Sequence, residues 1–96
     1  MAWLVVSDDN ENGAAIRADA RIMAAHWQYE LANRHIILAA GSLRDDDGVT
    51  KTGSLLVLDV ATRAEAEAFF ANDPRHQGGP ARHDQHSLSQ CGDPEP

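Results

Sequence analysis

Residues 17–41 read RADARIMAAHWQYELANRHIILAAG, and this stretch decides the fold. Ile16, Ala20, Met23, Trp27 and Leu31 recur at spacings of three and four, which draws an apolar stripe along one helix and turns it toward a core. His26 lies beside that stripe, near Ile22, Tyr29 and Glu30. At such a border an imidazole is held by packing and still meets a ligand. His35 to Ala40 (HIILAA) follows as a strand closed by Gly41, so the stretch sets one long helix against one strand.

Upstream, Ala2 to Val6 is a short apolar run ended by Ser7-Asp8-Asp9-Asn10, which reads as a buried strand entering a loop. Asn12-Gly13 marks a turn, and the helix begins near Arg17 with no single residue standing out as its cap. Downstream, SLRDDDGVTKT carries Asp47-Gly48 turn chemistry, so it forms a hairpin tip before the strand Gly53 to Val60. Thr62 and Glu65 have capping-box spacing at the start of a second helix. That helix presents Ala61, Ala64, Ala68 and Ala71 with Phe69 or Phe70 to the sheet and stops at Asn72-Asp73-Pro74. The order is βαββα, an α+β pattern that calls for a fourth strand beside the first. Residues 75–96, RHQGGPARHDQHSLSQCGDPEP, have almost no apolar content. They read as an irregular, poorly packed tail after an α+β domain at 1–74, with the fourth strand missing or replaced.

Ninety-six residues with 43% hydrophobic content suit one small domain, for which a partner subunit supplies useful extra burial. A homodimer is expected. The net charge of −7 argues against nucleic acid, whose binders gather Lys and Arg on one face. The opening MAWLVVSDD has neither a basic start nor a long apolar region, so no signal peptide or membrane span is expected, and the location is expected to be cytoplasmic. The single cysteine, Cys91, agrees with a reducing compartment.

Taken together, the opening strand, Ala25-His26-Trp27-Gln28-Tyr29, Ile37 to Leu43 followed by Asp45-Asp46-Asp47-Gly48, Gly53 to Val57, and Ala71-Asn72-Asp73-Pro74 resemble the YCII-related (YciI-like) family over residues 1–74. The resemblance implies a ferredoxin-like fold of the dimeric α/β barrel type, with sheets packed face to face. It also implies an active site made of a helix histidine and an aspartate. The histidine matches His26 and the aspartate of an Asp-Pro motif matches Asp73, with Asp8 and Asp9 as rival partners. One activity in the family is dehydrochlorination of a chlorinated hydroxyhydroquinone. Two departures stand out: Ser42 replaces a usual proline, and Arg75 replaces a usual aromatic residue after Asp-Pro. If the codons from His76 are read one base later, permitted third bases allow Thr-Lys-Ala-Gly-Leu-Arg-Asp-Thr-Ile-Ser-Ile-Arg. This string resembles the family's last turn and strand. On that reading the tail is out of frame, and the backbone edge of Ala2 to Val6 lies open.

A histidine beside a carboxylate is a general base near neutral pH, able to take a proton from a phenol or an activated carbon while a leaving group departs. The expected function is therefore a lyase or isomerase, dehydrochlorinase-like on hydroxylated aromatics, with His26 as proton acceptor and Asp73 as its orienting carboxylate. No metal or organic cofactor is expected. The alternative is a non-catalytic dimeric ligand-binding or accessory domain, in which His26 is a helix-border residue and Asp73 only a turn former. Asp45-Asp46-Asp47-Gly48 lacks calcium-loop spacing. His76, His83, His86 and Cys91 contain one close pair and support no more than adventitious metal binding. His35 reads as structural.

Overall fold

Period-two alternation places Val5 and Ser7 of the first strand, and Ser54, Leu56 and Leu58 of the third, on one buried sheet face. The computed structural model describes residues 2–9, 13–77 and 85–91, with side chains described as far as Arg75. The elements run β1 (Ala2–Asp8), α1 (Gly13–Ala18), α2 (Ala20–Ala32), β2 (Ile37–Arg44), β3 (Lys51–Leu58), α3 (Arg63–Ala71), α4 (Pro74–Gln77) and β4 (Gln85–Cys91). The sheet order is β2-β3-β1-β4, with every pair antiparallel. This is the ferredoxin-like arrangement.

The fourth strand corrects the expectation of an irregular tail. Gln85 to Cys91 pairs with β1 along its whole length, from Asp8↔Gln85 to Ala2↔Cys91. Backbone hydrogen bonds do not depend on side-chain hydropathy, so a polar segment can still join a sheet at its edge. The β1 edge expected to lie open is therefore covered.

The expected single helix is two. Asp19 interrupts it in an extended conformation and accepts from the backbone N–H groups of Arg21 (2.9 Å) and Ile22 (3.1 Å), which caps α2. The inward face of α2 is also rotated from the predicted stripe. Trp27 is 60% exposed and Leu31 48%, whereas His26 is the buried residue of this helix. Half-buried Ile22, Met23, Tyr29, Glu30 and Asn33 surround it at spacings of three and four. A polar centre suits this face because its charges are paired.

Thr62 caps α3 as expected, accepting from the Glu65 N–H at 3.2 Å, while its hydroxyl donates to the Glu65 carboxylate at 3.2 Å. The packed face is Ala66, Phe69 and Phe70, not the predicted alanines, which are exposed. These three join Val5, Leu56 and Leu58 in the core. Gly41 does not close β2, which continues to Arg44. The hairpin turns at Gly48 (φ 72°), where the Asp47 carboxylate accepts from the Val49 and Thr50 N–H groups and the Thr50 hydroxyl. These bonds hold its pKa below the ordinary carboxylate value and tie the carboxylate into the turn.

Candidate functional site

Asp73 continues the buried face of α3, following Ala66, Phe69 and Phe70 at helical spacing, and is 1% exposed. Its Oδ1 accepts from the Arg75 backbone N–H at 2.9 Å, so the turn-forming role expected of an Asp before Pro is present. Both carboxylate oxygens also lie 2.8 Å from Nδ1 of His26. From α2 itself, Glu30 Oε1 lies 2.7 Å from Nε2 of the same ring, one helical turn beyond His26. His26 is thus a bridge between two carboxylates, with 9% of its surface exposed.

Ionised carboxylates only accept hydrogen bonds, so a ring with one on each nitrogen carries two protons. Burial pushes the His26 imidazolium toward lower pKa. The bonds to Asp73 and Glu30 and their charges outweigh it, and the pKa rises from 6.5 to about 9. Asp8 and Asp9 do not partner His26. Asp8 is exposed, and Asp9 takes a bidentate pair from Arg17, Nε at 2.6 Å and a terminal nitrogen at 2.9 Å. That same terminal nitrogen donates to the Gly53 carbonyl at 3.0 Å, which fixes α1 against β3.

Beside the bridge opens a cavity of about 430 Å³. Met23, Trp27 and Leu56 supply apolar wall, and Arg17, Lys51 and Arg75 bring cationic groups. Beneath it Arg75 donates to the Ser54 hydroxyl at 2.8 Å, and Ser54 shares a 2.7 Å hydrogen bond with buried Ser7. Burial lowers the Arg75 pKa, as does the nearby Arg17 guanidinium. Tyr29 steadies the approach of α2 to α3 by donating to the Phe69 carbonyl at 2.8 Å and by a tilted ring contact with Phe69, centroids 4.8 Å apart. Its phenol pKa is raised by burial and by the charge of Asp73.

The model of the YCII-related domain matches residues 1–83. The chain belongs to the YCII-related family. Two solved structures share this family member's fold over nearly its whole length. 5-Chloro-2-hydroxyhydroquinone dehydrochlorinase (TftG) from Burkholderia phenoliruptrix AC1100, in complex with 2,5-dihydroxybenzoquinone, superposes with a TM-score of 0.70 at 23% identity, covering 96% of each chain. SnoaB, a cofactor-independent oxygenase from Streptomyces nogalater, superposes at 0.54 with 12% identity, covering 99% of this chain and 95% of that one. The comparison with curated proteins gives no match. The fold is the dimeric α/β barrel type of ferredoxin-like domain. Among the described residues, no helix is long and apolar enough to cross a membrane.

The structure brings His26 and Asp73 together. Glu30 was not singled out as a site residue, although its i+4 spacing from His26 was visible. His26, Glu30 and Asp73 offer atoms within 4.8 Å that could in principle hold a metal ion. The carboxylates occupy different ring nitrogens, whose lone pairs diverge, so one ion could not use His26 and both acids as arranged. His83 lies outside the described residues. His76, His86 and Cys91 are placed by backbone alone.

Proposed function

We propose that the cavity binds a small hydroxylated ring compound and that the Asp73–His26–Glu30 chain moves a proton to or from it, in a lyase- or isomerase-like reaction. The observation that carries this reading is the imidazole bridging two carboxylates at the edge of a partly apolar recess. The TftG structure, solved with a dihydroxybenzoquinone, favours the same class of ligand.

On this reading proton acceptance passes from His26 alone to the His26–Glu30 pair. A doubly protonated ring has no lone pair to offer, so the first acceptor is the Glu30 carboxylate, less buried than Asp73. His26 holds Glu30 in place and, through its positive charge, favours the anion that a hydroxylated ring becomes on losing its proton. Asp73 orients the ring through Nδ1. In an elimination, the electron pair left by the departing proton forms the new π bond, and the leaving group departs with its own bonding pair. A chlorinated hydroxyhydroquinone is the probe substrate, with chloride release as the readout. His26→Gln should slow release by at least about a hundredfold with an unchanged circular dichroism spectrum. Full activity of that variant would remove the catalytic assignment.

The second reading is a non-catalytic dimeric ligand-binding domain, favoured by the complete pairing of both ring nitrogens. A His26 NMR titration unaltered by hydroxylated aromatics, together with no chloride release, would select it. On either reading the chain forms a homodimer through the sheet face opposite the helices, where half-buried Leu4, Val6, Leu55 and Val57 alternate with the core residues.

A further inference from the structure

The cavity is bipolar. On the α2 side stand the carboxylates of Glu30 and Asp73, joined by His26. Arg17 and Lys51 line it from α1 and β3, and Arg75 from α4. Asp9 neutralises Arg17, and the doubly bonded His26 offsets one of its two acids. Arg75 balances the other acid, and Lys51 remains in excess among the described lining residues. A chain with a net charge of −7 thus has a recess of locally positive balance. Arg75 is the most buried cation of this wall, 8% exposed. An aromatic side chain there could only stack, whereas a guanidinium offers directed N–H donors that prefer oxyanions.

We infer that this cavity selects an anionic ring compound, a hydroxylated aromatic bearing a carboxylate or equivalent oxyanion, with Arg75 as the residue that sets the preference and Lys51 as its support. The Arg75–Ser54–Ser7 chain holds the guanidinium from below, so its position is preset before the ligand arrives. The ring would lie between Met23, Trp27 and Leu56, the oxyanion toward Arg75 and Lys51, and a hydroxyl toward Glu30. This inference rests on the proposed function's reading of the cavity as the ligand site, and adds the charge of the ligand.

The test titrates the ¹⁵N-labelled full chain at low ionic strength with 2,5-dihydroxybenzoate and, separately, with neutral 1,4-hydroquinone. Shifts at the Trp27 indole and the His26 ring report occupancy. The anion should bind at least about tenfold more tightly, a difference of about 1.4 kcal/mol, and added salt should erode the difference. Arg75→Phe should bring the ratio close to one, Arg75→Lys should keep most of it, and Lys51→Gln, at an exposed position that leaves the core intact, should reduce it. Equal binding of both probes by the unaltered chain, or a ratio unmoved in all three variants, overturns the charge inference and leaves the cavity reading standing. Shifts that avoid Trp27 and His26 for both probes overturn the cavity reading and the inference with it.

Discussion

At His26 two acids act on one base, and the consequence is measurable without a substrate. The ring should titrate by NMR with a midpoint near 9, and Asp73→Asn should bring it down, since the amide removes one of the two charges that offset burial. A midpoint unchanged in that variant would show that Asp73 does not hold the proton. The folded-state value lies above the ordinary 6.5, so this group's contribution to stability is complete below pH 6.5 and is lost as pH rises through about 9. The melting temperature should therefore fall across that window, and a flat profile there would contradict the bridge. His26 was legible as a polar residue beside the apolar stripe of its helix, and Asp73 as its partner only through the Asp-Pro motif of the family resemblance. Glu30 was hidden by its ordinariness, as a helical glutamate is usually a solvated surface residue.

Among the elements, the helix that seemed simplest was the least legible. Apolar residues on α2 span more than one face, so periodicity admits two rotations about 100° apart. The one adopted buries an ion-paired histidine and leaves Trp27 exposed. Tertiary pairing decided between them, and the partner Asp73, just beyond α3, is not visible in the local pattern of α2. Asp19 is the joint that sets this rotation. Asp19→Ala should cost about 1 kcal/mol in urea unfolding, and a loss below a few tenths would mean that the cap is dispensable. The strands were easier to read because β1 and β3 combine short apolar runs with clear turns. β4 was missed because an edge strand needs backbone partners more than apolar side chains.

For the whole molecule, the order β2-β3-β1-β4 makes β1 an interior strand whose second neighbour is the polar segment 85–91. A chain ending in the alternative reading frame, with Ile-Ser-Ile in place of largely polar residues, should melt higher by about 5 °C or more. Equal melting would remove the physical reason to prefer that frame. Sedimentation should show a dimer, and Val57→Lys on the sheet face away from the helices should yield monomers. A dimer that survives the added charge would place the interface elsewhere.

The glycines show which parts of the sheet are free to change. A Cβ on Gly13 would lie 2.6 Å from that of Asp9, and one on Gly53 would run into the Ser7 carbonyl, so neither backbone position tolerates a side chain without β1 giving way. Gly41 pairs with Leu55, on the sheet face away from the helices, and has nothing within 4 Å of where its Cβ would sit. One flank is frozen by contact while the opposite one has room to grow. Descendants of this chain can thus enlarge a single residue on the outer face of the sheet and leave the proton-carrying groups on the inner face undisturbed.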